Sequence, residues 1–388
     1  MIAFLYPGQG SQHAGMGAAW RQHDSWELVI EASDSTGRDV GRLLLEASDD
    51  ELRETRNSQL ATFVTSMVAF DAVSRLGIET SGHAGHSLGE YTALAASGVL
   101  DFADAVRLVA ERGDAMQSAA DEHVGTMAAI IGLDDADVET AVAAVEDCWV
   151  ANYNTPGQVV IAGGPAGVEA GGEACKAAGA KRVMPLVVGG AFHTPHMSPA
   201  QERLDKALAQ TEFRAPDHPV YANVDATAYT TSDAWQQLLH DQLTSSVCWS
   251  RTLSTMVDDN YSTFVEIGPG TALTGMVKRV ARSSERLNVS VPGDLDALLE
   301  ALGGRDSSEP AEGEHLYVTE RLVVSPAAGV FVPETDVGAG TILQTGSMLG
   351  TVGETNVLSA FSGQLIEFLA LPGERVQLAQ PIAWLRSL

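Results

Sequence analysis

The chain has 388 residues, 51 acidic and 23 basic, for a formal net charge of -28. That length leaves room for two or three domains with buried cores and excludes a small disulfide-stapled scaffold. The charge excludes a nucleic-acid partner held by overall electrostatics, while 45% hydrophobic residues exclude an acidic disordered chain.

Ile2 to Tyr6 is an apolar run stopped by Pro7-Gly8, which predicts a buried strand, and no basic residues precede it as in a secretory leader. Helical spacing follows over Leu60 to Leu76, where Leu60, Val64, Met67, Val68 and Leu76 share a face, and again over Ala103 to Met116. Between residues 125 and 188 the rhythm is strand, helix, strand, strand, helix, strand. The predicted strands are Met127 to Ile131, Trp149 to Asn152, Gln158 to Ala162 and Arg182 to Val187, with helices over Asp135 to Val145 and Pro165 to Ala178. That order predicts an inserted ferredoxin-like subdomain. Pro216 to Asn223 and Thr263 to Ile267 return to core strands, so residues 1–302 are expected to form an α/β domain with a hydrolase-like parallel-sheet core.

Residues 303–315 are glycine, serine and acid with hardly an apolar anchor, the composition of a linker. Beyond it, residues 316–388 carry short β-branched runs between Gly and Pro turns, such as Arg321 to Ser325 and Thr341 to Gln344. A weak duplication runs through them: Val324 to Gly329 recurs 34 residues later as Leu358 to Gly363, and Gly340-Thr-Ile-Leu recurs as Gly373-Glu-Arg-Val. An all-β domain of two similar halves is expected. Cys148, Cys175 and Cys248 are too scattered for a zinc site or disulfide framework, and no apolar run reaches the roughly 18 residues of a membrane span. A soluble cytoplasmic protein without metal is expected.

Gly85-His86-Ser87-Leu88-Gly89 fits G-x-S-x-G, in which small residues let a strand turn sharply into a helix and leave the serine hydroxyl exposed. A serine in a Gly-rich loop can also simply cap a helix. As a nucleophile it needs an imidazole to take its proton. His193, in Gly189-Gly-Ala-Phe-His-Thr-Pro195, follows an apolar strand, as a catalytic group does; on spacing alone His196 competes with it. Tyr6-Pro-Gly-Gln-Gly-Ser-Gln12 places a tight loop after the first strand, either a simple turn or a source of N–H groups for an oxyanion.

Six segments occur together and in order: Tyr6 to Gln12, Gly85-His-Ser-Leu-Gly-Glu-Tyr91, Glu111-Arg-Gly-Asp-Ala-Met-Gln117, Asn152-Tyr-Asn-Thr-Pro-Gly-Gln-Val-Val-Ile-Ala-Gly163, Ala191-Phe-His193 and Val265-Glu-Ile-Gly-Pro-Gly270. Through them residues 1 to 300 closely resemble the malonyl-CoA:acyl carrier protein transacylases. The resemblance implies that Ser87 is the acylated nucleophile and His193 its base, with the backbone N–H groups of Gln9 and Leu88 as oxyanion hole. It implies that the main-chain carbonyl of Gln242 orients His193, that Arg112 holds the malonyl carboxylate, and that Asn154 places substrate or the Gln9 loop; Gln12 and His86 are supporting residues. The family more often has proline where this chain has Ser246. Ala191-Phe-His193 further implies malonyl over methylmalonyl, because a phenyl ring beside the imidazole crowds an α-methyl group.

The implied reaction is a ping-pong transfer of malonyl from malonyl-CoA through a serine ester to the phosphopantetheine thiol of acyl carrier protein, for fatty acid biosynthesis, with no metal or cofactor. The alternatives are a transacylase of a polyketide or malonate decarboxylase system, and a serine thioesterase or hydrolase. Carrier protein is acidic, so docking needs local basic residues; Lys181, Arg182, Lys278, Arg279 and Arg282 are the candidates. The tail resembles a biotinyl/lipoyl-type domain, whose modified lysine stands at the tip of the hairpin joining its halves. Here that tip falls at Gly353-Glu-Thr-Asn356 and no lysine follows Lys278, so attached biotin or lipoate is not expected. The tail's partner is left open, between docking and inert roles.

Overall fold

The structure, a computed structural model, describes residues 1–303, 320–344, 346–353, 355–359, 363–377 and 380–386. The chain separates into two compact units, Met1–Arg305 and Asp306–Leu388. All of the expected linker except Gly303 lies outside the described residues.

In the first unit the strands β1 (Ile2–Tyr6), β2 (Gly82–Gly85), β7 (Val220–Tyr221), β8 (Ala228–Tyr229), β9 (Thr263–Ile267) and β10 (Glu285–Val289) form one sheet, in the order β10-β9-β1-β2-β7-β8. Every neighbouring pair is parallel except β7 with β8. Parallel strands are buried on both faces, and β1 reads accordingly as Ala-Phe-Leu-Tyr with no polar alternation. The expected strand from Pro216 to Asn223 shrinks to Val220–Tyr221: Pro216 and Pro219 have no N–H to pair, and Ala222 turns the chain by accepting from Ala226 N.

Helices α1 (Thr55–Arg75), α2 (Leu88–Ala96) and α3 (Phe102–Glu122) pack together beside this sheet. α1 was expected to bury one face, but it buries nearly every residue from Asn57 to Ala69, including Gln59, Thr62, Thr65 and Ser66, while Leu76 lies past its end. A helix wedged between neighbours has no solvent face for periodicity to mark.

The second sheet contains β3 (Thr126–Ile131), β4 (Cys148–Thr155), β5 (Gln158–Gly163) and β6 (Arg182–Pro185) in the order β4-β5-β3-β6, all antiparallel. Helices α4 (Asp135–Ala143) and α5 (Pro165–Ala177) make its two crossovers, which is a ferredoxin-like topology. Three further helices matter to the site: α6 (Ser198–Leu208), α7 (Trp235–Gln242) and α9 (Ala272–Val280), with α8 (Trp249–Asp258) between the last two.

The second unit is all β. Strands β11 (Glu320–Val324), β18 (Pro381–Arg386), β16 (Gly363–Phe368) and β13 (Ile342–Leu343) form one antiparallel sheet in that order; β15 (Thr355–Leu358), β14 (Met348–Val352), β12 (Gly329–Pro333) and β17 (Arg375–Val376) form the other. Advancing the first half by about 34 residues carries β11, β12, β13 and β14 onto β15, β16, β17 and β18, and so carries one sheet's order onto the other's. Equivalent positions are buried alike: Val323 with Val357, Ser325 with Ser359, Phe331 with Leu365. Each half gives strands to both sheets, so neither half buries its apolar face without the other. Among the described residues no helix is long and apolar enough to cross a membrane.

Candidate active site

β1 and β2 are paired in register, Tyr6 against Gly85, so the loop after β1 and the turn after β2 emerge side by side at the carboxyl end of the sheet. Here the backbone is too crowded for side chains. A Cβ on Gly85 would stand 1.9 Å from the carbonyl of Gly89, and one on Gly89 would stand 2.0 Å from Tyr6 O. The two outer glycines of the pentapeptide are thus steric requirements of the strand-to-helix turn. Ser87 itself takes φ 52°, ψ -102°. Its N–H donates to Asn223 Oδ1 at 2.7 Å, which holds this left-handed conformation in place.

His193, also at positive φ (62°), presents Nε2 to Ser87 Oγ at 2.8 Å and Nδ1 to the main-chain oxygen of Gln242 at 2.8 Å. A carbonyl can only accept, so Nδ1 carries the hydrogen and Nε2 is left as acceptor for the serine proton. Burial, and secondarily the Arg112 charge, pull His193 down to about 3, so the ring is neutral at pH 7. His196 faces elsewhere: its Nε2 lies 2.6 Å from Asp147 Oδ1. Ser246, the departure from the family pattern, donates its hydroxyl to Val150 O at 2.6 Å and so ties the Gln242 segment to β4.

Arg112 comes from the interior of α3 and is 1% exposed. Nη1 donates to Gln59 Oε1 at 2.7 Å; Nη2 donates to Gln242 Oε1 at 2.8 Å and to Ser87 Oγ at 3.2 Å. The guanidinium also lies 5.3 Å from the centre of the Tyr91 ring. Burial lowers its pKa, opposed by Tyr91 and Glu90.

These groups line a cavity of about 190 Å³ that also reaches Gln9, Leu88, Asn154, Phe192 and Met276. Leu88 is the first residue of α2, where backbone N–H groups have no helical acceptor. The Gln9 loop is braced by Gln12, whose Oε1 accepts from Gly10 N at 2.7 Å and whose Nε2 reaches Leu52 O. His86 and Asn154 meet across the cavity wall, Nε2 to Oδ1 at 2.9 Å. The five candidate docking residues are exposed: Lys278 and Arg279 end α9, whose first turns line the cavity, and Arg279 donates to Gln158 Oε1. Lys181 lies over Gly132, next to the β4–β5 turn.

Sequence reasoning missed Gln59, Glu90 and Asn223. Glu90 stood in plain view within the elbow motif, but its burial is visible only once Asn223 and Gln242 are brought to it from more than 100 residues away.

A family profile described as "Acyl transferase domain" matches residues 3–296. The malonyl CoA-acyl carrier protein transacylase of Escherichia coli (strain K12) is 42% identical over 305 residues, covering 77% of this chain and 99% of that protein. An acyl carrier protein S-malonyltransferase structure from Vibrio cholerae is similar with a TM-score of 0.74 and 40% identity, over 76% of this chain and 99% of that one. A malonyl-transacylase solved in complex with a type II PKS acyl-carrier protein gives 0.75 and 38%, over 77% and 99%.

Proposed function

Since the chain belongs to the malonyl-CoA:acyl carrier protein transacylase family, with the acyl transferase domain over residues 3–296, we propose that it moves malonyl from malonyl-CoA to the phosphopantetheine thiol of acyl carrier protein. Ser87 Oγ attacks the thioester carbonyl while His193 Nε2 takes its proton. The N–H groups of Gln9 and Leu88 receive the oxyanion, and the CoA thiolate leaves with the proton from His193. In the second half His193 takes the proton of the carrier thiol, the sulfur attacks the serine ester, and Ser87 Oγ leaves with that proton returned from His193. The product feeds fatty acid biosynthesis.

The observation that carries this reading is the distance from the guanidinium to the nucleophile. Arg112 Nη2 stands 3.2 Å from Ser87 Oγ. In a malonyl ester the carboxylate carbon is two C–C bonds of about 1.5 Å each from the acyl carbon. A three-carbon diacid therefore places its carboxylate on this arginine, while acetyl leaves a buried cation facing a methyl group. The test is intact-protein mass spectrometry with malonyl-CoA. A stable malonyl adduct is expected on the wild type, discharged by carrier protein, and none on Ser87→Ala. An adduct on Ser87→Ala refutes the nucleophile, and rapid release of free malonate without carrier favours a hydrolase.

Lys181, Arg182, Lys278, Arg279 and Arg282 supply local positive charge for an acidic carrier on a chain of net charge -28; the Lys278-Arg279 pair shares a helix with cavity-lining Met276. For residues 320–386 the reading is a biotinyl/lipoyl-type domain. It is supported by the 34-residue repeat and by the hairpin of β14 and β15, which joins the two halves. That hairpin carries no lysine, so the reading has no swinging cofactor and leaves a docking or assembly module or an inert stabilising appendage. Glu354, in the hairpin tip, lies outside the described residues.

A further inference from the structure

Glu90 sits in the first turn of α2, three residues after the nucleophile, and no step above uses it. It is fully buried, and both its oxygens accept. Oε1 takes the backbone N–H of Asn223 at 2.7 Å, and Oε2 takes the side-chain amide Nε2 of Gln242. Burial pushes the carboxyl up to about 8, against the pull of these two donors and of Arg112. Both partners donate, so both carboxyl oxygens are used here as acceptors.

Both donors in turn hold reacting groups. Asn223 Oδ1 receives Ser87 N, and Asn223 Nδ2 donates to Gly85 O at 2.7 Å, fixing the strained elbow. Gln242 is used at both ends: its main-chain oxygen orients His193, and its side-chain oxygen receives Arg112 Nη2. A glutamine amide can sit either way round. Here Nε2 faces two acceptors, Glu90 Oε2 and Ser87 O at 2.9 Å, so Oε1 must face the guanidinium.

Resting on the function proposed above, we propose that Glu90 is a positioning residue for substrate selection: it locks the Gln242 amide, and through that amide aims Arg112 at a substrate carboxylate. One carboxyl group thereby couples the group that selects the acyl chain to the segment that orients the base.

The decisive variant is Glu90→Gln, measured in the full-length chain with malonyl-CoA and acetyl-CoA as donors and carrier protein as acceptor. An amide has one acceptor oxygen. The backbone N–H of Asn223 cannot turn away, so it claims that oxygen, and the new NH2 group faces Gln242. Gln242 then either moves off that NH2 group or turns over at the cost of its bond to Ser87 O, and in both cases its oxygen is no longer fixed on Arg112. Loss of a hydrogen bond to a charged group predicts a fall in kcat/KM for malonyl-CoA of about 10- to 100-fold, mainly through KM, and a much smaller fall for acetyl-CoA. The malonyl-to-acetyl ratio therefore drops about tenfold or more.

A residue that only supports the fold would lower both substrates together. An unchanged ratio in a Glu90→Gln protein with wild-type circular dichroism overturns the proposal. Glu90→Asp covers the case in which the amide variant does not fold: it keeps two acceptor oxygens but withdraws them by one methylene. Its ratio is expected between those of the wild type and Glu90→Gln, and a wild-type ratio alongside lost activity on both donors overturns the proposal as well. The wild-type protein tests the underlying reading in the same experiment. If it forms no malonyl ester on Ser87, that reading fails and the role of Glu90 falls with it, whatever the variants do.

Discussion

Replacing Arg112 by alanine removes the guanidinium that reaches the nucleophile within the cavity. The wild-type guanidinium is held by Gln59 and Gln242 and is nearly inaccessible to water, so a malonyl carboxylate meets a preoriented charge in a site of low dielectric. Truncating one partner of a buried, hydrogen-bonded charge pair costs about 2–5 kcal/mol, which is roughly a 30- to 5,000-fold loss of malonyl transfer. Acetyl-CoA behaves oppositely. Its methyl leaves the wild-type arginine unsatisfied, so the variant is expected to accept acetyl at least as well as the wild type. Single-turnover acylation of Ser87, followed by mass with each donor in turn, reads both changes. Malonyl acylation within about threefold of wild type, or an unchanged malonyl-to-acetyl ratio, would refute the assignment of Arg112, since the smallest expected loss is about 30-fold.

Two further outcomes follow from the same geometry. His193 is depressed, chiefly by burial, to about 3, so the neutral form of the base gains and persists on acidification. Serine acylation is expected to stay level from pH 7.5 to 5, where an ordinary imidazole with pKa 6.5 would cause a fall of about 30-fold; an acid limb centred near 6.5 in single-turnover rates would sink this account. A chain ending at residue 303 is expected to keep malonyl transfer within about twofold in a steady-state assay, because the E. coli relative is spanned to 99% of its length by 77% of this chain. A larger loss would give the second unit a part in the transfer itself.

What the sequence made legible was local. Gly85, Ser87 and Gly89 form one turn, and the pattern marks both glycines, although only Gly85 is crowded from within the turn, by Gly89, while Gly89 is crowded by Tyr6 O from the neighbouring strand. The 34-residue repeat was readable for the same kind of reason, since alternation and turn residues leave a periodic trace. The restraints on the reacting groups were not local. Asn223 reaches Ser87 across 136 residues, and Gln242 reaches Arg112 across 130. Nothing in the neighbourhood of Asn223 distinguishes it from a turn asparagine, and its side chain counts only because β7 stops after Tyr221 and releases it toward the elbow. Gln242 was legible as a carbonyl through family resemblance; its amide, which does as much, leaves no motif. Arg112 lies in a helix whose polar residues would read as solvent-facing, and only the folded structure shows that it is buried.

The second unit's first and last strands, β11 and β18, lie side by side and antiparallel, with Glu320 opposite Arg386. The described part of this unit thus begins and ends at one place on the edge of a sheet. A module whose ends meet in that way can be joined to another protein without its sheets being cut. A reporter joined after β18 would start beside β11.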